Sequence, residues 1–140
     1  MDDLGLGTLD YVYAPSSDVA GDARWFTEII GAECVFAIDA DGTRVAMLRV
    51  GSDGPPVLVT DHLPDDRPVF IYRVSSLAAV SQVLVTRGWT NDRTLDLPMG
   101  PATTFRAPGG LRLAIYEAIR PFVVDSMAGR RDFRVRRRDF

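Results

Sequence analysis

The stretch Gly109–Glu117 carries side chains that can bind or react, and it has the pattern of a strand that follows a tight turn. Its side chains alternate between two faces, which places apolar residues on one face and Arg112, Ala114 and Tyr116 on the other. A guanidinium group binds carboxylate or phosphate, and a tyrosine stacks on a flat ligand while its hydroxyl forms hydrogen bonds. The mixed face is therefore typical of a surface, a pocket wall or an active site.

Alternation in the other predicted strands adds aromatic, aliphatic and a few polar side chains to the same candidate face. Such a lining is typical of a pocket that holds a small molecule by burial and by a few orienting hydrogen bonds. A second interpretation stays open, in which these side chains only fill a curved sheet. The candidate ligand-binding residues are Tyr11, Tyr13, Leu58, Thr60, His62, Val69, Ile71, Arg112, Ala114 and Tyr116, with Met99 at a flexible rim and Arg73 as a second anion-binding arginine.

The chain offers few groups for nucleophilic or metal chemistry. Cys34 is the single cysteine, His62 is the single histidine, and all 16 basic residues are arginine. Cys34 has no partner for a disulfide or a thiolate cluster, so we expect it to be a small buried residue. His62 shares the strand parity of Leu58 and Thr60, but a zinc, iron or manganese site needs at least three protein ligands. A metal site around His62 is therefore disfavoured.

Length and composition indicate one soluble domain. A chain of 140 residues, 46% of them hydrophobic, can bury a core without a disulfide or a structural metal. No apolar run approaches the roughly 18 residues of a membrane span. The acidic start, Met1–Gly7, has neither the basic region nor the apolar core of a signal peptide. We therefore predict a cytoplasmic protein that does not bind membranes.

Residues 122–140 form a basic tail on an acidic body. The tail holds six arginines and three aspartates, so its charge is about +3. Because the net charge of the chain is −3, the remaining residues carry about −6. Because its arginines alternate with aspartate and phenylalanine, it is a poor track for phosphates, and we do not expect nucleic-acid binding. The tail can pack on its own domain, anchor Phe133 and Phe140 on a sister subunit, or be solvated. We expect a homodimer.

The chain repeats one plan twice, with a strand, a helix and three further strands in each copy. Matching landmarks, such as Gly31 with Gly88, lie 57 or 58 positions apart. The predicted modules are 8–64 and 67–121, within a domain 1–121 that is followed by the tail. This order predicts an α+β fold in which two tandem βαβββ modules form curved mixed sheets around a concave cleft, with the helices on the outer face.

Turn and cap residues set the expected ends of the two helices. Ser16 or Ser17 is predicted to cap the first helix, whose apolar stripe runs from Val19 to Ile30, and Gly31 is predicted to end it. Ser75 or Ser76 and Gly88 play the same parts for the second helix. The segment that follows, Trp89–Met99, has no clear period and is predicted to be less regular.

Two stretches in register with this repeat resemble the vicinal oxygen chelate superfamily, which includes glyoxalase I, extradiol dioxygenases, and fosfomycin and bleomycin resistance proteins. Trp25–Ala32 is similar to the family's hydrophobic pair before a Leu-Gly helix end. Phe105–Glu117 is similar to its Phe-x-Asp-Pro-Asp-Gly-Asn turn and last strand. The likeness covers residues 8–121.

The resemblance implies four metal-ligand positions, two on each module. Carried over residue by residue, they hold Tyr11 and Val69 where histidines are usual, Ala114 where a glutamate is usual, and Leu58 on the last strand of the first module. Three of these side chains have no donor atom, and tyrosine binds metal well only when deprotonated. We therefore expect no metal, no other cofactor and no catalytic residue of the usual kind.

The fold and the missing ligands together suggest a metal-free protein that binds or sequesters a small aromatic or amphipathic molecule, as the resemblance to bleomycin resistance proteins implies. One alternative is a metal-independent enzyme that uses a tyrosine or His62 as general acid or base, although no partner carboxylate is evident on the same face. A metal-dependent lyase or dioxygenase and a pure interaction module are further alternatives.

Overall fold

The computed structural model describes residues 4–63 and 66–135 and contains two compact units. The first-half unit consists of Tyr11–Pro68 and the chain from Met127 onwards. The second-half unit consists of Val69–Ser126 and the chain up to Asp10. Each unit is therefore discontinuous in sequence, because one end of the chain belongs to the unit built mainly from the other half.

The first-half unit contains the first helix and the larger part of a four-stranded mixed sheet. The strand order is β2-β3-β4-β1, with β1 and β4 parallel and the other pairs antiparallel. The elements are β1 (Leu6–Pro15), α1 (Val19–Trp25) continued by a π-helical turn (Phe26–Ile30), β2 (Glu33–Ala40), β3 (Thr43–Arg49) and β4 (Val57–Thr60).

The second-half unit repeats this plan. Its strand order is β5-β8-β7-β6, with β5 and β8 parallel and the other pairs antiparallel. The elements are β5 (Val69–Val74), α2 (Leu77–Thr86), β6 (Asn91–Leu97), β7 (Gly100–Arg106) and β8 (Arg112–Tyr116), after which the short α3 (Val123–Met127) begins. The prediction of an α+β fold built from two βαβββ modules is confirmed.

One side of each sheet packs against the helix of its own unit. In the first-half unit, Val19 and Ala23 of α1 join a core with Leu48 and Val59. In the second-half unit, α2 and the sheet share a core whose buried members are Val74, Val80, Leu84, Phe105 and Ile115. The opposite side of each sheet, here called its inner face, is the side that sequence alternation nominated for function.

The start and end of the first helix differ from the prediction in part. Asp18, rather than Ser16 or Ser17, is the N-cap, since its carboxylate accepts a hydrogen bond from the Gly21 N–H at 3.0 Å. Gly31 ends the helix in the left-handed conformation, with φ 84°, as predicted. Ile30 is 46% exposed, although the predicted apolar stripe of the first helix ended with it. The π-helical turn has more residues per turn than an α-helix, so it rotates Ile30 away from the buried side.

The second helix begins as the sequence predicts. Ser76 is its N-cap and accepts a hydrogen bond from the Ala79 N–H at 3.2 Å. The Glu117 carboxylate, from the segment after β8, accepts a second one from the Leu77 N–H at 2.8 Å. A negative group at this end also suits the helix dipole. The last strand and the second helix are thus held together through a cap.

The segment Trp89–Met99 contains a regular strand, so the prediction of a less regular segment was wrong. β6 pairs with β7 over Asn91–Leu97, with a bulge between Asn91 and Arg93. Its sequence is mostly polar and has no period of two, because it lies at the edge of the sheet order and has few side chains to bury. The bulge also shifts parity, which no alternation rule can anticipate.

The chain after α3 packs on the first-half unit rather than extending from it. Arg131 bridges to Ala37 of β2 in parallel, and the Ala37 N–H donates to the Arg130 carbonyl at 2.8 Å. The side chains of Phe133 and Val135 are buried in the same core as α1. The Arg44 guanidinium lies 5.0 Å from the centre of the Phe133 ring.

Phe133 is only 7% exposed within its own chain, so it is not the intermolecular anchor that the tail suggested. Phe140 lies outside the described residues, and the homodimer stays a prediction.

Asp132 accepts hydrogen bonds from the Arg130 guanidinium and from the Asp39 N–H. These bonds, that to Arg130 first, lower the pKa of the Asp132 carboxyl.

The helices found within residues 4–63 and 66–135 are too short or too polar to serve as membrane spans. The cytoplasmic location stays a prediction.

Candidate functional site

The inner face of the second-half unit brings together most of the side chains nominated on that half. Strand register pairs Val69 with Arg112, Ile71 with Ala114 and Arg73 with Tyr116. On the other side of β8, register pairs Arg112 with Arg106, Ala114 with Thr104 and Tyr116 with Ala102. Paired residues point to the same side of a sheet, so these side chains form one surface.

Arg112 is a buried cation on this surface, with 1% of its side chain exposed. Its Nε lies 3.6 Å from Oδ2 of Asp92, which is close enough for an ion pair but too long for a hydrogen bond. Within the described residues, neither Nε nor Nη1 has a hydrogen-bond partner. Leaving such donors unpaired is costly, since a buried charged group normally has its hydrogen bonds satisfied.

Asp92 forms ion pairs with two arginines, Arg106 and Arg112. Its Oδ1 lies 3.2 Å from Nε of Arg106, and its Oδ2 accepts a hydrogen bond from the Thr104 hydroxyl at 3.3 Å. The three charged side chains, Arg106, Asp92 and Arg112, therefore sum to one positive charge. We call them the arginine pair cluster.

A second polar group on the same face surrounds Tyr116. The Tyr116 hydroxyl donates to Oδ2 of Asp10 at 2.6 Å. The same carboxylate accepts from the Thr8 hydroxyl at 2.5 Å and lies 3.5 Å from Nε of Arg73. Tyr116 therefore has the partner carboxylate that the sequence did not reveal, and Asp10 is held by three neighbours.

The inner face of the first-half unit is filled mainly by large apolar side chains. Register places Leu58 beside Tyr13 and Met47, and Phe36 lies beyond Met47. All four are buried, with 4% or less exposed. Burial, followed by the charge of Tyr11, raises the pKa of Tyr13, so its phenol stays protonated.

His62 lies at the end of this face and is bound to Thr60. Its Nδ1 is 2.5 Å from the Thr60 hydroxyl oxygen, and that hydroxyl donates to the Arg44 carbonyl at 3.1 Å. The Thr60 hydroxyl and the His62 ring are therefore joined by a hydrogen bond whose donor is set by the tautomer of the imidazole. The His62 ring also meets Tyr13 edge-on, with centroids 6.3 Å apart.

Most of the predicted lining is buried within the chain. Tyr11 and His62 are partly exposed and the Arg73 side chain is 52% exposed, whereas the other nine candidates have 4% or less of their surface exposed. Met99 is one of the nine: it lies in the turn between β6 and β7 and is 3% exposed, so it is not an exposed rim. The apolar candidates of the two units are equally buried, and the inner faces differ in the charged groups that the second-half unit holds.

The donor set does not fit the metal centre that the resemblance would bring. Leu58, Val69 and Ala114 are buried hydrocarbon side chains without a donor atom. Across residues 4–63 and 66–135, no three side chains of histidine, cysteine, aspartate or glutamate come together.

Sequence reasoning missed four polar members of the inner face of the second-half unit. Asp92 lies in the bulge of β6, where parity fails, and Thr104 and Arg106 were not tied to a face. Strict alternation puts Asp10 on the opposite face from Tyr11, so alternation does not nominate it. Part of this cluster could have been predicted, because Arg106 and Arg112 flank the turn before the last strand. Two arginines brought together by such a turn indicate a nearby acidic side chain.

Comparison with known proteins finds matches only among solved structures, and these matches show the fold alone. No family model matches the chain, and no curated protein matches it. Among solved structures, it is similar to methylmalonyl-CoA epimerase from Mycobacterium tuberculosis, with a TM-score of 0.59, 20% identity, and coverage of 84% of this chain and 90% of that chain.

Two further solved structures give the same picture. A variant of methylmalonyl-CoA epimerase from Streptomyces coelicolor, in complex with 2-nitronate-propionyl-CoA, has a TM-score of 0.61, 16% identity, and coverage of 81% of this chain and 99% of that chain. A hypothetical protein from Bacillus halodurans C-125 has a TM-score of 0.66, 10% identity, and coverage of 79% and 93%. The chain therefore shares the fold of these solved structures, which is the fold that its sequence resemblance predicted.

Proposed function

We propose that this protein binds a small molecule without a metal, and that the site is the inner face of the second-half unit. The observation that carries the proposal is the buried Arg112, whose Nε and Nη1 have no hydrogen-bond partner among the described residues, beside an alanine at the position where the resemblance implies a metal-binding glutamate. A face that merely completes a core would hold hydrocarbon, as the first-half unit does. Here the guanidinium groups of Arg73, Arg106 and Arg112 line one surface together with the hydroxyls of Thr104 and Tyr116 and the carboxylates of Asp10 and Asp92.

The ligand class follows from the same surface. Val69, Ile71 and Ala114 supply apolar contact, and Arg112 supplies charge. This combination suits an aromatic or amphipathic molecule with one polar end. The S. coelicolor neighbour of the same fold holds a CoA thioester analogue, which supports including CoA thioesters among the compounds tested.

Removal of metal is expected to leave ligand binding unchanged. A panel of flat aromatic acids, amides and CoA thioesters is titrated by calorimetry into protein purified without a metal-chelating tag. We expect at least one saturable ligand with one site per chain, and the same affinity after dialysis against EDTA, since Leu58, Val69 and Ala114 supply no donor. Absence of any saturable ligand, or binding that EDTA abolishes and Mn²⁺ or Zn²⁺ restores, contradicts the proposal.

A metal-independent enzyme is the second candidate, and the Tyr116–Asp10 hydrogen bond favours it. A tyrosine paired with a carboxylate can pass a proton to a bound substrate, which is the role of a general acid.

Tyr116→Phe separates the two candidates. If the protein only binds, we expect the dissociation constant to change by less than about fivefold, because one hydroxyl with a partner inside the protein is lost. If it is an enzyme, product formation should fall by about 10²-fold or more while affinity survives. Mass spectrometry of each ligand after overnight incubation detects turnover, and Tyr72→Phe, on the opposite face of β5, is the matched control.

A further inference from the structure

We propose that the ligand is an organic carboxylate whose anionic end is bound by Arg112 in the arginine pair cluster and whose apolar body lies along Ala114 and Ile71. This inference rests on the proposed function and gives it a substrate class. It begins from the hydrogen-bonding state of Arg112, which the chain leaves incomplete within its described residues.

The guanidinium group has donors on more than one edge, and one carboxylate cannot serve them all. Asp92 lies 3.6 Å from Nε, and it is also bound by Arg106 and Thr104. Nη1 lies on a different edge of the planar group from the Nε hydrogen, and no acceptor reaches it from the part of the chain that the structure describes. A second oxyanion at Nη1 would satisfy this donor and bring the charge of the cluster to zero.

Solvent approaches the cluster from one end. The exposed fraction of the side chain rises from 1% at Arg112 to 25% at Asp92 and 44% at Arg106. A small anion that approaches from this end therefore meets Arg106 first, whose positive charge attracts it, before it reaches Arg112.

The side chains around Arg112 indicate the chemistry of the rest of the ligand. Its neighbours in register are Val69 on one side and Arg106 on the other. The next position along the strand is Ala114, which is fully buried and has Ile71 and Thr104 beside it. A carboxylate attached to a flat apolar body matches this order of charge and hydrocarbon, whereas inorganic phosphate matches only the charge.

The test compares benzoate, benzamide and inorganic phosphate at constant ionic strength, by calorimetry and by the ligand-dependent rise in melting temperature. We expect benzoate to saturate one site, benzamide to bind at least about tenfold more weakly, and phosphate to bind more weakly than benzoate. Arg112→Gln should weaken benzoate at least about tenfold. Arg24→Gln, at an exposed position of α1 in the first-half unit, should leave it within about twofold.

Asp92→Asn keeps the test decisive if Arg112→Gln fails to fold, because Arg112 stays in place and loses its competing carboxylate. Benzoate affinity should then rise about threefold or more. Equal binding of benzoate and benzamide, no gain in Asp92→Asn, or phosphate as tight as benzoate overturns this inference. If benzamide or a CoA thioester still saturates a site, the proposed function stands without it, and if no compound of the wider panel binds, both fail.

Discussion

Phe133→Ala is expected to lower the free energy of unfolding by about 4 kcal/mol, because it removes a buried ring from the core around α1. The ring is 7% exposed and also lies under the Arg44 guanidinium, an interaction worth about 0.5–1 kcal/mol. Urea unfolding followed by far-ultraviolet circular dichroism measures the change.

Phe122→Ala is the matched control, since that ring is 77% exposed and its loss should change stability by less than about 0.5 kcal/mol. The same data test the alternative in which Phe133 stabilises a dimer. An anchor on a sister subunit would make the midpoint of unfolding depend on protein concentration, whereas a ring in its own core leaves the midpoint fixed. A loss below about 1 kcal/mol, or a midpoint that moves with concentration, contradicts the assignment.

Gly100→Ala is expected to destabilise the protein by at least about 3 kcal/mol, because the new methyl group would overlap the backbone of Glu117. A Cβ at this position also lies 3.0 Å from the Glu117 carbonyl carbon and 3.1 Å from the Ile119 nitrogen. The obstructing backbone is tied on both sides, since the Glu117 N–H donates to Pro101 and its carbonyl accepts from Ile119.

Gly109→Ala serves as the control for Gly100→Ala. A Cβ at Gly109 meets no heavy atom within 4 Å, so we expect a change within about 0.5 kcal/mol. Thermal unfolding of both variants, measured in parallel, gives the comparison. Equal stabilities would mean that the approach of Glu117 to Gly100 is looser than the structure describes.

The repeated order of elements was predictable because each element carries its own local signal. Alternation identified the strands, and Gly31 and Gly88 ended the helices in the left-handed conformation that glycine favours, with φ 84° and 93°. These signals depend only on neighbours in sequence. The same rule grouped Arg112, Ala114 and Tyr116 on one face with Val69 and Ile71, which the register confirms.

The errors arose where a distant contact decided the outcome. β6 is mostly polar, and it is a strand because β7 offers it hydrogen bonds. The sequence after α3 left open whether the tail packs on its own domain, on a sister subunit or is solvated; the structure shows the first for the described residues, since Arg131 donates to the Cys34 carbonyl at 2.5 Å and Phe133 lies in the core. In both cases the stabilising partner is far away in sequence, so no local pattern contains it.

The candidate site was less predictable than the fold. Alternation placed Arg112 and Tyr116 on one face but did not identify the carboxylates that pair with them. Asp92 lies in a bulge, and alternation places Asp10 on the opposite face of its strand. The charge state and access of a guanidinium depend on these partners. The sequence thus identified the face and its apolar lining, and left open which donors lack an acceptor.

The discontinuity of the two units bears on when the protein can fold during synthesis. Tyr11–Pro68 leave the ribosome early but lack Phe133 and Val135, the last described pieces of their core. Residues up to Asp10 are made long before β5 and Tyr116, which bind them. The second-half unit therefore lacks its full set of contacts until Ser126 is made, and the first-half unit lacks Phe133 and Val135 until later still. Nascent chains arrested before Tyr116 should remain sensitive to proteases, and resistance should appear only once Val135 has left the ribosome.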